Sequence, residues 1–474
     1  MSGYHSTRFR WIPKDLSVSK KECTIELLNM SHSFVRNTAL TLMTRVGNIL
    51  FGLVISILLA RELGPNDRGI YALATLVPSL AILFVGAGLS SATVYLLGKK
   101  KYAPGLIAGN NIMLNLGLGA IGIIMTMLMF LAFRQRFFLD VPIYSFVAVV
   151  AALPFMLYNS NEVAIAQGLQ RFSLYNGLTS VQVFVQFTIL GGLFLTRSLT
   201  LPAAMVSFFG STFINSVILS VATKKIVGQY SFLLDRGYVK ESLSFGVRAQ
   251  LSNVVAFLHL RIDQLILAVM TNPATVGFYA VATGLTERLW LLSESVSVIH
   301  YSRMSAEVDE AQRRRLTPVL TRNIMWLTIV GAGILALLSK WFITWFYSSR
   351  FLPVLLPFNI LLLGTIFVSG ARILANDITA RGLPMVNTRV NSISVVMNIV
   401  LNLIFIPFYG MAGAAAASTI SYSLLFLFRA RAYARLSGNR LRDLLVIRSS
   451  DFHLYRQLFR QMKNRLLPVQ SMPE

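Results

Sequence analysis

Two stretches of the chain, 208 residues apart, are variants of one motif. Residues 57–74 read ILLARELGPNDRGIYALA and residues 265–282 read LILAVMTNPATVGFYAVA, with a leucine, an alanine, the proline, the glycine, the tyrosine and two further alanines at matching positions. Each copy has an apolar helical stretch, a turn with proline and glycine, and a second apolar stretch that starts near an aromatic residue. The motif predicts two helices that leave and re-enter a membrane. Its recurrence predicts a duplicated unit, with two convergent hairpins as the alternative.

The composition supports a membrane protein. Of the 474 residues, 55% are apolar and 13% are charged, whereas a soluble domain has about 25% charged residues. This difference excludes a soluble globular enzyme. Apolar stretches long enough to cross a bilayer, about 18 residues or more, predict an all-α polytopic protein of about twelve spans. They lie near 38–60, 70–97, 105–133, 141–166, 174–196, 201–222, 246–269, 277–299, 320–339, 353–376, 386–406 and 411–429.

The distribution of basic residues predicts the orientation. Lys and Arg number 43 against 19 Asp and Glu, which gives a net charge of +24. Most of them fall in alternate segments between spans. The positive-inside rule then predicts a protein of the cytoplasmic (inner) membrane with both termini in the cytoplasm. The charge then reflects topology and attraction to anionic inner-leaflet lipids, and we expect no nucleic acid as partner. The single Cys23 forms no internal disulfide or cysteine metal site, and we expect no metal and no cofactor.

The repeat predicts two six-helix lobes with the same orientation, related by an axis along the membrane normal, because six spans is an even number. The predicted divisions are a cytoplasmic N-terminal segment 1–32, an N-terminal lobe 33–222, a cytoplasmic linker 223–240, a C-terminal lobe 241–430 and a basic tail 431–474. Within the tail, apolar and basic residues alternate at helical spacing over 440–467. This pattern predicts an amphipathic helix on the inner membrane face, with a partly disordered basic tail as the alternative.

Several segments, in order, resemble one known family. They are ARELGPNDRGIYALA at 60–74, GAGLSSATVYLLGKKK at 86–101, RIDQLIL at 261–267 followed by VGFYAVATGLTERLWLL at 276–292, and YGMAGAAAAS at 409–418. Together they resemble the polysaccharide transporter family of lipid-linked oligosaccharide (O-antigen) flippases. Its superfamily also contains multidrug and toxin extrusion transporters and lipid-linked murein precursor flippases. The resemblance covers about 33–430 and implies two lobes around a central cavity that opens to one side at a time. It also implies a polyprenyl-pyrophosphate-linked sugar as substrate.

Polar residues inside the spans indicate a cavity independently. The first span carries Thr38, Thr41, Arg45 and Asn48 on one helical face. The eleventh carries the longest such stripe, formed by Asn387, Asn391, Ser394, Asn398 and Asn402. A regular polar stripe keeps that face of a helix out of lipid. The alternative for any single amide is a hydrogen bond that holds two helices together.

The charged residues suggest an anionic substrate, because guanidinium groups match phosphate oxygens in pairs. Arg45 has no acid on its own helix and is predicted to contact the head group. Near helix ends, Arg248 and Arg372 could instead snorkel to the surface, and Arg261 could pair with Asp263 or Glu287. The predicted substrate-binding residues are Arg45, Asn48, Arg248, Arg261, Arg372, Asn391 and Asn398. The candidates for coupling to a proton or sodium gradient are His259, Asp263, Glu287 and Glu294.

The pattern favours a transporter over an enzyme, since no nucleotide-binding loop, metal-ligand spacing or nucleophile motif is present in the sequence. The leading hypothesis is a flippase whose partners are a lipid-linked oligosaccharide, anionic lipids and other polysaccharide assembly proteins. A cation-coupled drug antiporter is the closest alternative, although antiporters of that kind usually carry an acid in the first helix. A membrane-embedded glycosyltransferase or polymerase is the other, although it would need a larger outer loop. The coupling ion stays open between H⁺ and Na⁺.

Overall fold

The protein is a bundle of long helices. The computed structural model describes residues 20–137, 142–290 and 310–446, with 293–294, 296–297, 300 and 451, and it describes side chains from Met43 onward. Every regular element in these ranges is helical. The elements of the first half are α1 (Lys20–Val85), α2 (Leu89–Gly98), α3 (Pro104–Phe137), α4 (Ile143–Ala151), α5 (Leu153–Gly168), α6 (Phe172–Leu195) and α7 (Leu201–Val227). Those of the second half are α8 (Arg236–Met270), α9 (Pro273–Arg288), α10 (Glu310–Phe342), a π-turn (Ile343–Tyr347), a 3-10 turn (Ser349–Val354), α11 (Leu355–Ala380), α12 (Pro384–Ser437) and α13 (Arg442–Leu445).

Two of the long helices consist of two arms each. Gly64 within α1 has φ 70° and Gly410 within α12 has φ 54°, a left-handed conformation that glycine adopts without steric cost. Among the described residues, nine helical segments are long and apolar enough to cross a membrane, and α1 and α12 are two of them. Counting their arms separately and adding the shorter α9 gives a total consistent with the twelve predicted spans. The all-α polytopic fold is therefore confirmed.

The helices extend beyond the predicted spans. Because α7 continues to Val227 and α8 begins at Arg236, only 228–235 connects the two halves, rather than 223–240. Likewise α12 continues to Ser437, past the boundary at 430, and most of the predicted amphipathic helix at 440–467 lies outside the described residues. Basic side chains such as Lys224 and Arg431 are exposed on these extensions. The predicted spans therefore end where the first charged residues occur, whereas the helices continue past them.

The two copies of the opening motif contact each other at one end of the bundle, which we call the outer end after the predicted orientation. A Cβ built on Gly69 would lie 1.7 Å from the carbonyl oxygen of Pro273, and one built on Gly277 would lie 2.2 Å from that of Pro65. Both pairs combine the same two motif positions, so the contact is reciprocal, as expected for two repeated units that meet at an axis. Only glycine allows the backbones to approach this closely. Superposition of the two lobes stays a prediction.

A second seam joins α2 to α8 at the inner end. Gly88 and Gly246 are again in backbone contact, since a Cβ on Gly88 would lie 2.1 Å from the Gly246 oxygen. The rings of Tyr95 and Phe245 stack with centroids 4.1 Å apart. Lys101 Nζ lies 2.5 Å from Glu241 Oε2 and, outside the membrane, lowers the pKa of Glu241 by its hydrogen bond. The two halves are thus closed together along α2 and α8.

The bundle exposes large apolar side chains and buries amides among the apolar side chains of its core. Asn111, Asn115 and Asn398 are buried, while Leu116 and Leu128 are exposed. A soluble protein shows the opposite arrangement. Apolar side chains facing outward and amides facing inward are what a lipid environment requires.

Candidate functional site

A cluster of three charged side chains spans the two halves of the chain. Arg45 Nη1 on α1 lies 3.6 Å from Glu294 Oε2, and Arg372 Nη1 on α11 lies 2.6 Å from Glu294 Oε1. The three side chains are 40%, 24% and 43% exposed for Arg45, Arg372 and Glu294, respectively. Two guanidinium groups therefore share one carboxylate and leave the cluster net positive. The Arg372 guanidinium also lies over the Trp290 ring, 4.6 Å from its centroid.

Arg45 is not the unpartnered cation that the sequence predicts. Its acid comes from a residue in the other half of the chain, a relationship that inspection of one helix at a time does not reveal. Asn48 is half-buried one turn further along α1. The side chains of Thr38 and Thr41, which complete the predicted stripe, lie outside the described residues.

Next to this cluster lies a cavity of about 280 Å³ in the second half. Arg372 belongs to both, so the cavity and the cluster are continuous. The polar residues of its wall are His259, Ser297, Arg372, Asn376, Asn391, Tyr422 and Arg429. Arg372 and Asn391 were predicted to bind substrate and His259 to take part in coupling; the structure brings these three together.

Arg429 is a cavity residue that the sequence analysis missed. It is 7% exposed, and its guanidinium donates to the Ala371 carbonyl at 3.1 Å and to Asn391 Oδ1 at 2.6 Å. Its Nε has no partner, and no acid pairs with it within the described part of the chain. Arg429 is the last residue of the last predicted span, and the sequence analysis gave it no role. Its spacing from Tyr422, two helical turns, was the signal that could have placed it on the inner face.

Other predicted residues have structural partners. Arg261 forms a two-pronged pair with Glu287, with Nη2 and Oε2 3.0 Å apart, which confirms the ion pair predicted as its alternative. Asn398 is buried and donates to Ser418 Oγ at 3.3 Å, so it joins the two arms of α12 away from the cavity. Arg248 is exposed and turns back to its own helix, with Nε 2.9 Å from the Ser244 oxygen. The structure does not bring these three residues into the cavity wall.

The candidates for coupling also differ in their surroundings. Asp263 is 1% exposed and accepts hydrogen bonds from Tyr279 Oη at 2.6 Å and Ser418 Oγ at 2.8 Å. His259 lies against the Tyr422 ring, with centroids 5.2 Å apart, and neither ring nitrogen has a partner among the described residues. A further buried acid, Glu162 on α5, was missed because it follows two asparagines, Asn159 and Asn161, as a single charge rather than as part of a cluster of charges.

A membrane-spanning helical bundle with a polar, arginine-lined cavity defines a membrane transporter fold, and comparison with solved structures agrees. The lipid II flippase MurJ in its inward closed conformation has a TM-score of 0.74 at 17% identity, over 89% of this chain and 93% of that chain. An inward-facing multidrug resistance MATE family transporter of the MOP superfamily has a TM-score of 0.69 at 14% identity, over 84% and 99%.

Residues 34–292 match the family described as polysaccharide biosynthesis protein, and the chain belongs to that family. It is 23% identical over 372 residues to the probable low-salt glycan biosynthesis flippase Agl15 of Haloferax volcanii, covering 77% of this chain and 76% of the relative. It is 20% identical over 413 residues to an uncharacterised membrane protein of Methanocaldococcus jannaschii, covering 79% of each. The predicted family resemblance is confirmed.

Proposed function

We propose that the protein is a flippase that moves a polyprenyl-pyrophosphate-linked oligosaccharide across the cytoplasmic membrane by alternating access, for surface polysaccharide biosynthesis. The observation that carries the proposal is the pair of arginines in one cavity, Arg372 and Arg429, of which Arg429 has no acidic partner among the described residues. A buried cation without an acid is costly inside a membrane. An anionic ligand would offset that cost, and a pyrophosphate offers oxygens to both guanidinium groups.

The cluster around Glu294 supports the same substrate chemistry. The Glu294 carboxylate pairs with Arg45 and Arg372 at the same time, as a phosphate group would. A pyrophosphate arriving at this point competes with Glu294 for both cations. Binding would then weaken the bridge between the two halves and link occupancy of the cavity to their separation.

Two alternatives are disfavoured by the same charges. An antiporter for cationic drugs would place its substrate against Arg372 and Arg429, which repel it. A glycosyltransferase would need a base that activates an acceptor, and the described polar wall of the cavity offers only His259 for that role, among cations, amides and hydroxyls. Since the sequence has no nucleotide-binding loop, we expect transport to draw on a proton or sodium gradient.

The test is deletion of the gene followed by analysis of lipid-linked glycans. We expect a lipid-linked oligosaccharide to accumulate on the cytoplasmic face and export to be restored by the unmodified chain. Arg429→Gln should fail to restore export at equal abundance in the membrane, and Arg429→Lys should restore part of it. The matched control is Arg431→Gln, an exposed arginine on the same helix, which should restore export fully. Normal glycan export in the deletion strain, together with new sensitivity to organic cations, would support the antiporter instead.

A further inference from the structure

Glu162, a buried acid in the first half, has surroundings unlike those of the acids that were predicted to take part in coupling. Glu162 on α5 is 0% exposed, and neither of its carboxylate oxygens has a hydrogen-bond partner among the described residues. By contrast, Glu287 and Glu294 pair with arginines, and Asp263 accepts hydrogen bonds from two hydroxyls. An ionised carboxylate in such a position would be costly, because it is removed from bulk solvent and no described cation pairs with it.

Hydroxyl side chains from three elements interact with Glu162. Tyr158 lies one turn earlier on α5, with its Oη 2.7 Å from Ser220 Oγ, and Thr223 on the neighbouring helix α7 is buried and interacts with the carboxylate. Tyr230, in the connection between the two halves, interacts electrostatically with Glu162. The hydroxyls of Thr223 and Tyr230 also have no partner within the described residues. Lys224 and Lys225 follow on α7 but are exposed, and neither pairs with the acid.

Hydroxyl groups suit a carboxyl group that changes its protonation state. A hydroxyl donates to a carboxylate oxygen and accepts from a carboxylic O–H, so the same side chains satisfy both forms after a rotation. When a proton binds, one carboxylate oxygen forms an O–H bond that donates to a neighbouring hydroxyl, and the buried negative charge disappears. Loss of the proton to cytoplasmic water restores that charge.

The connection between the two halves, residues 228–235, is hydrogen-bonded to α3. Ser231 N donates to the Gly105 oxygen at 3.0 Å, and Asn110 Nδ2 donates to the Leu233 oxygen at 3.0 Å. Asp235, whose amide donates to Asn110 Oδ1 at 2.9 Å, caps α8 through Tyr238 N at 2.7 Å. The segment that carries Tyr230 therefore continues directly into α8, the first helix of the second half.

We infer that Glu162, with Tyr158, Thr223 and Tyr230, forms a proton-binding site beneath the connection between the two halves. Proton binding neutralises the acid and allows residues 228–235 to pack against it. Proton release restores the charge and favours movement of residues 228–235 and of α8. The coupling of this site to transport rests on the proposed function. The proton site itself does not.

The test uses the full chain in lipid nanodiscs. Infrared difference spectra between low and neutral pH should show a buried carboxylic acid band that Glu162→Gln removes. Hydrogen exchange of residues 228–235, corrected for intrinsic rates, should depend on pH in the unmodified chain. In Glu162→Gln, which mimics the protonated acid, it should stay at the low-pH level at every pH. Glu62→Gln removes an exposed acid at the outer end and should leave both signals unchanged.

Two results would overturn the inference. One is persistence of the carboxylic acid band and of pH-dependent exchange in Glu162→Gln. The other is a response of residues 228–235 to sodium at fixed pH with no response to pH, which would make the site a sodium site. If Glu162→Gln removes both signals but the deletion strain accumulates no lipid-linked glycan, the proton site stands and the proposed function fails.

Discussion

Arg45 and Glu294 lie 3.6 Å apart and belong to opposite halves of the chain. Both side chains are partly exposed, at 40% and 43%, so water and ions reach the contact. Exposed pairs of this kind contribute at most about 1 kcal/mol. The bridge is therefore weak enough to open when an anion competes for its cations.

Replacing Glu294 should strengthen anion binding. In Glu294→Gln, Arg45 and Arg372 lose the competing carboxylate, and we expect inorganic pyrophosphate to bind about fivefold more tightly, the equivalent of about 1 kcal/mol. The measurement is calorimetric titration of the purified protein. Glu241→Gln, which removes the acid of the α2–α8 seam, should leave the affinity unchanged. Equal or weaker pyrophosphate binding by Glu294→Gln would contradict competition.

Substitutions of Arg45 distinguish the contribution of its positive charge from that of the shape of its guanidinium group. Arg45→Lys keeps the positive charge but loses the two-pronged fork, so we expect partial glycan export. Arg45→Ala should abolish export at normal abundance in the membrane. Export by Arg45→Ala at the level of the unmodified chain, or its loss only through disappearance of the protein, would assign Arg45 a structural role.

The close contact at the outer end predicts a large effect of a single methyl group. In Gly277→Ala the new Cβ would lie 2.2 Å from the Pro65 oxygen, and relief of that collision requires the two backbones to separate, at a cost of about 1–3 kcal/mol. We expect a lower melting temperature and greater labelling of a cysteine placed at Asn66. Gly333→Ala, on α10 with no atom within 4 Å of its new Cβ, is the control and should neither lower the melting temperature nor increase the labelling.

The orientation predicted from the basic residues is tested by reporter fusions. Fusions after Gly64 and after Asn272 should be extracytoplasmic, and fusions after Lys100 and after Arg314 cytoplasmic. Alkaline phosphatase and green fluorescent protein give opposite signals at each position. Two reversed positions would contradict the topology.

The sequence predicted what depends on local pattern. Apolar length gave the helices, and the proline and glycine shared by the motifs marked the point where the halves meet. The partner of Arg45 was not predictable, because Glu294 is 249 residues away in the chain and its approach depends on how the halves pack. Arg429 and Glu162 were missed for a related reason. A lone charge near the end of an apolar stretch has the same local pattern whether it faces the surface or the interior.

The closure at the outer end is made of main chain, since Gly69 and Gly277 lie directly against the backbone of the opposite motif. No ionisable side chain takes part in these two contacts, so salt and pH have little to act on there. The bridge between Arg45 and Glu294 is ionic and responds to dissolved ions through screening. The two contacts between the halves thus differ in kind: the ionic one responds to the composition of the solution, while the one at the outer end yields only to mechanical displacement of the helices.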